Sequence, residues 1–576
     1  MPSVSKTEDL ERLRHSCAHI LAQAVQSLFP NVKLAIGPAI KNGFYYDFDL
    51  DRSFTEDDLK KIEAKCLAII KEGQTFSGKK ITKKEARELF QKRGERYKLE
   101  ILEGLPEDNI TLHTNGPFID LCRGGHVEKT SDVKAFKLLN VAGAYWRGSE
   151  QNPMLQRIYG TAFYSEKDLE NYLKQLEEAK KRDHRKLGRE LDLFSFHDES
   201  PAIPFFHPKG MVIYNELIRY WKEEHAREGY LEIRTPMILR DQLWKQSGHY
   251  DHYKDHMYFT KMDETQFAIK PMNCPGSTLV YRSQQRSYRD LPLRLAELGL
   301  VHRHELSGVL HGLFRVKAFT IDDTHIFCYG DQIEQEIAGV IRLILKVYKT
   351  FGFSDVSISL STKPKESMGS DDIWEKATHG LEAALKHNQI NYEINEGGGA
   401  FYGPKIDFEV TDSIGRDWQC GTIQLDFMMP ERFELEYVGS DGKMHRPVMV
   451  HRAVFGSVER FYGVLVEHYG GAFPLWLAPI QVLVATISEK QEEGAKAIQK
   501  QLQEAGVRSE LDTRSEKINY KIREAELQKI PYIGVIGARE VESNTISVRA
   551  RGGKDLGVIK IGELIEKLKE EIKNKA

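Results

Sequence analysis

The chain has 576 residues, and its 82 lysines and arginines against 85 aspartates and glutamates give a formal charge of −3. At roughly 150 residues per domain, this length predicts three or four domains. The near-neutral charge excludes a nucleic-acid binder that is basic over its whole surface. Six cysteines without a Cys-x-x-Cys pair exclude a disulfide framework and indicate a reducing, cytoplasmic location. No apolar run approaches about 18 residues, so no membrane partner is expected.

The first third begins with a helical pattern, in which apolar residues recur every three or four positions until Pro30 ends it. A strand-like run follows at 43–48, and a charged amphipathic helix at about 56–71. From residue 162 the helical spacing resumes towards Leu187, which predicts one long exposed helix between two domains. The basic residues of its second half predict either a solvated face or a phosphate-facing surface. These residues are Lys180, Lys181, Arg182, Arg185, Lys186 and Arg189.

Two different patterns make up the rest of the chain. From about 191 to 476 helices mix with extended stretches such as 231–234 and 422–427, without a regular βαβ alternation. This favours a largely antiparallel sheet surrounded by helices. Beyond 478 strand-like and helical segments alternate, which predicts a compact α/β domain of about 100 residues.

Three short segments of the central part carry the strongest chemical signal. They are the proline-closed strand 229–236, the Arg303-His304-Glu305 run with the loop to Thr320, and the helix start at 456–461. Arg303 and Arg315 flank a glycine-bearing loop, and paired guanidinium donors suit the phosphates of a nucleotide. Each segment alone is a weak signal, because an Arg–Glu pair is usually a surface ion pair. In this order, the three resemble the signature motifs of class II aminoacyl-tRNA synthetases.

Further segments narrow the resemblance to the threonyl-tRNA synthetase family. They are Lys270-Pro271-Met272-Asn273-Cys274-Pro275-Gly276, 287–294, 401–405 and 417–422. The likeness runs from Leu13 to the last helix. It implies an α+β multidomain fold: an N-terminal α+β editing domain (1–165), a linker helix (166–190), a central class II antiparallel-sheet catalytic domain (191–476) and a C-terminal α/β anticodon-binding domain (477–576).

The resemblance also implies an activity and its partners. The family attaches L-threonine to tRNA(Thr) with ATP and Mg²⁺, through a threonyl-adenylate, and it removes mischarged serine by hydrolysis. Because the first class II motif packs at a subunit interface, a homodimer is expected. Many bacterial relatives carry a small extra domain before the editing domain, and the match begins too early in this chain for that domain to be present.

The resemblance assigns ligand roles to residues around the three motifs. Arg303 and Arg315 would contact the ATP phosphates, and Glu305 would read the adenine. Phe319 and Arg460 would sandwich the adenine ring. His249 would contact the terminal adenosine of tRNA and assist acyl transfer. The remaining candidates for ligand binding are Asp323, Tyr402 and Lys405.

A candidate zinc site is formed by Cys274, His325 and His451, which lie 51 and 126 residues apart. From the residues alone, a buried cysteine and two ordinary histidines are the favoured interpretation. The resemblance reverses this, because all three occupy the zinc-ligand positions of the family, with one Zn²⁺ per subunit. Three protein ligands leave an open position, which in the family takes the amino group and hydroxyl of threonine, while Asp323 holds the ammonium.

A second cluster is predicted in the first domain. His15 and His19 lie on one face of the opening helix, and Cys122 and His126 share the same spacing. The residues alone allow a zinc site, core histidines or a metal-free hydrolytic site. The resemblance favours the metal-free site, in which histidines activate a water against the ester of seryl-tRNA and Cys122 and His126 line the pocket. Metal binding remains the rival.

The C-terminal domain resembles the anticodon-binding domain of this synthetase subgroup. Its segment 548–554, with Arg514, Arg523 and Glu540, suits recognition of single-stranded bases by hydrogen bonds and guanidinium stacking. Arg549 and Glu540 align with positions that read the anticodon. Departures from the usual family pattern are Gly125 for proline, Ser277 for histidine, Ile321 for glutamine and Ser515 for asparagine.

Two alternatives belong to other functional classes or substrates. A non-catalytic, RNA-binding or regulatory paralog typically loses the ATP arginines or the metal ligands, and this chain retains them. A synthetase for another amino acid, such as proline or serine, is disfavoured by the zinc-ligand positions together with the His15–His19–Cys122–His126 group.

Overall fold

The computed structural model describes residues 6–106 and 110–575. The chain divides into two compact units, Met1–Glu177 and Glu178–Ala576. The division falls inside a helix, Glu166–Arg182. The predicted boundaries near 165, 190 and 476 stay predictions. Within the described ranges, none of the helices combines the length and apolar composition that a membrane crossing requires.

The first unit is an α+β structure with two antiparallel sheets. Its helices are α1 (Lys6–Leu28), α2 (Glu56–Glu72), α3 (Lys83–Arg93), α4 (Arg96–Glu103) and the first part of α5 (Glu166–Arg182). Its strands are β1 (Lys33–Leu34), β2 (Ala39–Ile40), β3 (Gly43–Asp49), β4 (Phe76–Ile81), β5 (Ile110–Asn115), β6 (Phe118–Leu121), β7 (Ala135–Tyr145) and β8 (Met154–Phe163). One sheet has the order β1-β3-β8-β7 with β2 beside β3, and the other is β4-β5-β6.

Helix α1 forms the centre of the first unit, because its apolar face is buried against other elements. Leu13, Ala18 and Leu21 are fully buried, and α1 contacts α2, β3 and β8. Helix α2 begins with a capping box at Thr55 and ends at Gly73, whose φ of 66° is left-handed. The helices predicted to end before Pro30 and to span about 56–71 are therefore confirmed, as is the strand at 43–48.

The second unit holds the remaining elements. Its helices are α6 (His184–Glu190), α7 (Pro208–Arg227), α8 (Asp241–Gln246), α9 (His249–Tyr253), α10 (Cys274–Arg282), α11 (Ile333–Thr350), α12 (Asp371–His387), α13 (Met428–Arg432), α14 (Val458–Tyr469), α15 (Glu492–Glu504), α16 (Ile518–Leu527), α17 (Ala538–Ser543) and α18 (Ile561–Lys573).

The strands of the second unit fall into two large and three small sheets. They are β9 (Phe194–Ser195), β10 (Phe205–Phe206), β11 (Leu231–Glu232), β12 (Ile238–Arg240), β13 (Tyr258–Met262), β14 (Thr265–Ile269), β15 (Arg286–Ser287), β16 (Leu293–His302), β17 (Ala318–Cys328), β18 (Val356–Ser361), β19 (Glu393–Asn395), β20 (Lys405–Thr411), β21 (Asp417–Asp426), β22 (Tyr437–Val438), β23 (Met444–His445), β24 (Val448–Ala453), β25 (Val482–Thr486), β26 (Ser509–Asp512), β27 (Tyr532–Ile536), β28 (Thr545–Ala550) and β29 (Lys554–Lys560).

The larger sheet has eight strands in the order β11-β16-β17-β24-β21-β20-β18-β19. Its two outermost pairs, β11 with β16 and β18 with β19, are parallel, and the pairs between them are antiparallel. Helices α7, α11, α12 and α14 bury their apolar residues in the core beside this sheet. The predicted antiparallel sheet with surrounding helices is confirmed.

The C-terminal part is the predicted α/β domain, with a five-stranded sheet in the order β26-β25-β27-β28-β29. Strands β26, β25 and β27 are parallel, because helices connect them, and β28 and β29 add an antiparallel hairpin. Helices α15 and α18 contribute buried residues to the core of this part.

The prediction of a single exposed helix running towards Leu187 is wrong, because the structure has two helices there. The chain leaves the helical conformation at Asp183, with φ −49° and ψ 120°, and α6 begins at His184. His184 and Leu187 are buried. The helical spacing of apolar residues continues across this break, which is why periodicity alone did not reveal it.

Candidate functional site

Cys274, His325 and His451 meet in the second unit because two strands pair in one register. His325 on β17 lies directly opposite His451 on β24, and Cys274 is the first residue of α10. All three are buried, and one potential ligand atom from each lies within 4.8 Å of the others. The predicted candidate metal residues therefore come together.

The surroundings of these three residues suit zinc. Nε2 of His325 is buried and finds no hydrogen-bond partner among the described residues. Nε2 of His451 lies 2.9 Å from Oδ2 of Asp426, and a proton on that nitrogen leaves a lone pair on Nδ1. Burial lowers the pKa of His325 well below its ordinary value, which keeps the imidazole in its neutral, metal-binding form. Two nitrogens and a sulfur are a donor set that zinc prefers.

Polar side chains lie next to the cluster. Asp323 accepts a hydrogen bond of 3.1 Å from Nδ2 of Asn273, and its Oδ1 lies 3.5 Å from Nε2 of His325. Tyr402 donates to the side-chain oxygen of Gln424, and its ring centroid is 5.1 Å from that of His451. An ammonium group can therefore find a carboxylate beside the three ligands.

His249 and Lys405, two further predicted residues, have different environments. His249 is fully buried, with Nδ1 2.8 Å from Oγ of Ser247 and Nε2 3.7 Å from Sγ of Cys274. Burial lowers the pKa of His249 to about 3. Lys405 pairs with Asp407 at 2.8 Å. His249 thus lies against the cysteine of the cluster, whereas Lys405 is engaged by a neighbouring acid.

A cavity of about 370 Å³ collects the residues predicted to bind a nucleotide. Phe319 comes from β17, Arg460 from the first turn of α14, and Arg303 follows β16 directly. The other predicted lining residues are Glu305 and Arg315. Residues from three separate segments of the sequence therefore share one cavity.

The cavity combines cationic groups with an aromatic face. The Arg303 guanidinium lies 5.1 Å from the Phe319 ring centroid, and its Nε donates to the carbonyl of Pro271. Arg315 donates to Glu305 at 3.0 Å. Nε of Arg460 is buried and has no hydrogen-bond partner among the described residues. Such a site can stack a planar base and pair its arginines with phosphate oxygens.

Sequence reasoning missed Glu459, which supports one wall of the cavity. Its carboxylate accepts hydrogen bonds from the backbone of Thr320 at 2.9 Å and from Oγ of Ser457 at 3.2 Å. Burial raises the pKa of Glu459 to about 7. The signal that could have found it is an acidic residue next to Arg460 at the start of a helical stretch, 458–466, whose other residues are apolar or aromatic. Ile321, a departure from the family pattern, lines the same cavity.

The first unit contains the second predicted cluster. His15 and His19 lie on α1, while Cys122 and His126 follow β6. Nε2 of His15 is 2.9 Å from Sγ of Cys122, and this sulfur is 3.3 Å from Nε2 of His126. One potential ligand atom from each of the four lies within 4.8 Å of the others. The four predicted residues therefore form one group.

Burial keeps these groups uncharged. It lowers the pKa of His126 to about 2 and that of His19 well below its ordinary value, with the neighbouring histidines adding to the effect. It raises the pKa of the Cys122 thiol to about 11. A neutral imidazole has a free lone pair, so these rings can orient a water molecule by accepting a hydrogen bond from it.

The cluster opens into a cavity of about 940 Å³. Lys98 and Asp120 line this cavity and form a buried ion pair, and Tyr46 donates to Asp120 at 2.7 Å. The ring of His113 lies 4.8 Å from that of His126. Sequence reasoning missed these residues. His113 and Asp120 face each other across the β5–β6 hairpin, a register that the structure shows.

The loop between Cys122 and His126 requires glycine. Gly124 and Gly125 have φ values of 98° and 82°, a region that disfavours side chains with a Cβ. Proline is locked near −65°. The glycine at 125 thus adopts a backbone conformation that the proline common at this position in the family cannot share.

The predicted RNA-facing residues of the C-terminal part differ in exposure and in whether their side chains already have a partner within the protein. Arg549 on β28 and Arg523 on α16 are exposed, and Arg514 pairs with Asp512 at 2.7 Å. Glu540 accepts from the backbone of Gly537 at the start of α17. Arg551 instead donates to the carbonyls of Phe473 and Lys529, so this arginine is a structural anchor.

Three family models match the chain. Residues 110–159 match the threonyl and alanyl tRNA synthetase second additional domain. Residues 258–469 match the tRNA synthetase class II core domain (G, H, P, S and T), and residues 481–571 match the anticodon binding domain. The first match lies in the first unit, and the other two lie in the second.

Threonine–tRNA ligases from two bacteria are similar to almost the whole chain. A threonine–tRNA ligase of Acetivibrio thermocellus is 60% identical over 563 residues, covering 98% of this chain and 88% of the relative. One from Clostridium botulinum is 59% identical, covering 98% and 89%. The crystal structure of the RNA binding domain of threonyl-tRNA synthetase from Cryptosporidium parvum superposes with a TM-score of 0.66 at 41% identity, covering 68% of this chain and 98% of that one.

The neutral histidines of the first unit predict a pH-dependent stability. An unfolded histidine has a pKa near about 6.5, so below that pH the unfolded chain takes up protons that the folded unit does not. Stability therefore falls as the pH drops below about 6.5, and His126 alone accounts for about 2 kcal/mol at pH 5. Thermal unfolding should show a lower midpoint at pH 5 than at pH 7.5.

Replacing His126 by asparagine should reduce that shift of the midpoint. The matched control is His379→Asn, because His379 is exposed on α12, and it should leave the shift unchanged. Equal pH dependence in the wild-type protein and the His126 variant would contradict the account.

Proposed function

The chain belongs to the threonine–tRNA ligase family, and we propose that it attaches L-threonine to tRNA(Thr) with ATP and hydrolyses seryl-tRNA(Thr). The observation that carries the proposal is that strand β17 contributes both to the nucleotide-type cavity, through Phe319, and to the Cys274–His325–His451 cluster, through His325. The threonyl and alanyl second additional domain in the first unit supports the hydrolytic activity.

The arginines of the cavity account for the activation step. Phe319 and Arg460 hold the adenine ring between them, while Arg303 and Arg315 bind the phosphates together with Mg²⁺. A carboxylate oxygen of threonine attacks the α-phosphorus and forms the mixed anhydride threonyl-adenylate, while the bond from this phosphorus to the oxygen bridging to the β-phosphate breaks and pyrophosphate leaves. Because the guanidinium groups are already in place around the developing charge, they stabilise the transition state more than the free substrates.

A zinc ion held by Cys274, His325 and His451 would coordinate the neutral amino group and the hydroxyl of threonine as a Lewis acid. The buried Nε2 of His325 and the buried sulfur of Cys274 support this assignment. Asp323 accepts hydrogen bonds from the threonine amino group, and Tyr402 packs beside His451. A site that requires a hydroxyl rejects valine, whereas serine lacks only a methyl group, worth about 1–3 kcal/mol. Serine is therefore activated and attached by error.

The first unit removes that error. His15 and His19 are neutral acceptors that line a cavity large enough for the end of a charged tRNA, and neutral His126 lies beside them. One of them orients or deprotonates the water that attacks the seryl ester, and Cys122 lines the substrate pocket. The metal-free form is favoured because His15, Cys122 and His126 already contact one another. Zinc at these four residues is the rival that the experiment below distinguishes.

A homodimer is part of the proposal. The first class II motif presents an exposed Leu231, and exposed Met237 and Ile238 follow it directly, with 56%, 41% and 44% of their surface accessible. A second copy of the chain would cover them. Sedimentation should give a dimer at micromolar concentration, and a monomer alone would contradict this assignment.

The tRNA-facing residues and the location complete the proposal. Exposed Arg523 and Arg549 are placed to read the anticodon of tRNA(Thr), together with Arg514 and Glu540. His249 assists transfer to the terminal adenosine. All six cysteines are free thiols, which agrees with a cytoplasmic location. The non-catalytic alternative finds no support, because Arg303, Arg315 and Arg460 line one cavity.

Replacing Arg303 by alanine should reduce threonine-dependent ATP–pyrophosphate exchange by at least about 100-fold, because a preorganised charge beside the phosphates is lost. Arg342 is exposed on α11, and Arg342→Ala is the matched control that should keep full exchange. Retained exchange in the Arg303 variant would remove this arginine from the mechanism.

A chelator should separate the two activities. Treatment that removes zinc is expected to stop threonine-dependent exchange and to leave deacylation of seryl-tRNA(Thr) unchanged. Cys274→Ser and Cys122→Ser form a matched pair: the first should lose bound zinc and exchange, and the second only deacylation. Loss of deacylation on chelation would establish a metal in the first unit as well.

A further inference from the structure

A third cluster of titratable residues lies outside both sites, where α6 begins. Asp183, His184 and Glu467 bring their side chains together, and His184 is fully buried. The two carboxylates already have cationic partners, since Asp183 pairs with Arg185 at 2.6 Å and Glu467 with Arg416 at 2.6 Å. The cluster is thus an internal junction between the start of α6 and helix α14.

The backbone N–H and both ring nitrogens of His184 form polar contacts with two other segments of the chain. Its backbone N–H donates to Oε1 of Glu467 at 3.0 Å, and Nδ1 lies 2.6 Å from the same oxygen. The backbone N–H of Leu313 donates to Nε2 at 3.0 Å. Because the carboxylate can only accept and the Leu313 amide can only donate, the ring carries its proton on Nδ1.

The turn Gly312–Phe314 is held tightly against this ring. The Phe314 ring centroid lies 4.1 Å from that of His184. A Cβ on Gly312 would lie 2.2 Å from Nε2 of His184, and one on Gly463 of α14 would lie 3.1 Å from Phe314. Glycine on both sides therefore permits the close approach, and the turn has little room to move.

This turn leads directly into the nucleotide cavity. Phe314 lines that cavity, and the next residue is Arg315. On the far side of Phe314, the Trp418 ring packs at 4.3 Å. The position of Arg315 thus depends on a turn whose amide and aromatic ring are both fixed by His184.

We infer that His184 is a positioning residue for the ATP site: it fastens the turn Gly312–Phe314 to α14 and so sets the place of Arg315. This inference rests on the proposed function, because it takes the cavity as the ATP site. It adds a residue from α6, the helix that follows the break at Asp183, to the determinants of ATP binding. His184 contacts neither ATP nor threonine.

Two substitutions separate its two hydrogen bonds. His184→Asn keeps an amide near Nδ1 for Glu467 and removes the acceptor for Leu313, whereas His184→Gln places an oxygen near Nε2. In ATP–pyrophosphate exchange, His184→Asn should lower kcat/KM for ATP about 10-fold, mainly through KM, with the KM for threonine within about twofold of wild type. His184→Gln should recover most of this loss.

Gly312→Ala provides an independent test, because its added Cβ would push the turn away from His184. Gly312→Ala should show the same selective increase in the KM for ATP. It therefore tests the inference even if His184→Asn fails to fold. The matched control is His225→Asn, since His225 is a buried histidine of α7 whose Nδ1 lies 2.6 Å from the carbonyl oxygen of Trp221 in the same helix. It should lower the melting temperature without a selective change in the KM for ATP.

The outcomes are distinct. The inference is overturned if folded His184→Asn has an unchanged KM for ATP, or if its KM values for ATP and threonine change equally. The proposed function would still stand in that case, provided that the wild-type protein catalyses threonine-dependent exchange. Equal defects in the asparagine and glutamine variants also overturn the inference. A wild-type protein without threonine-dependent exchange overturns the proposed function, and this inference falls with it. Deacylation of seryl-tRNA should be unaffected in all these variants.

Discussion

The antiparallel pairing of β17 with β24 is the constraint on which the synthetic site depends. It places His325 opposite His451 and aligns both with Cys274 at the start of α10. The same strand β17 carries Asp323 beside this cluster and Phe319 in the nucleotide cavity. A slip of one residue would turn each side chain of β17 to the other face of the sheet. One strand register therefore fixes the proposed amino-acid site and the proposed nucleotide site together.

Burial has the same electrostatic effect in both units, but it serves different chemistry. In the second unit it lowers the pKa of His325 and leaves an unpaired nitrogen that suits a metal. In the first unit it lowers the pKa values of His19 and His126, whose neighbours include a thiol and other histidines. A site that recognises a hydroxyl cannot exclude serine by a methyl group alone. In the proposed function, hydrolysis at the cluster of the first unit corrects the attachment of serine that this limit allows.

The sequence predicts best what depends on local spacing. The i, i+4 spacing places His15 and His19 on one face of α1, and the alternation beyond residue 478 identifies the C-terminal α/β fold. Strand register cannot be read from one sequence, so Cys274, His325 and His451 were grouped only through the family resemblance. The break at Asp183 and the burial of His184 were missed, because the partners Glu467 and Leu313 lie far along the chain.

The central claim is that a hydroxyl-reading zinc site selects the amino acid and leaves serine to be corrected elsewhere. The most direct measurement is ATP–pyrophosphate exchange with threonine, serine and valine on one preparation whose metal content is determined. The account predicts one zinc per chain, exchange with threonine and serine, and negligible exchange with valine. Measurable valine exchange, or full threonine exchange in a zinc-free protein, would contradict it.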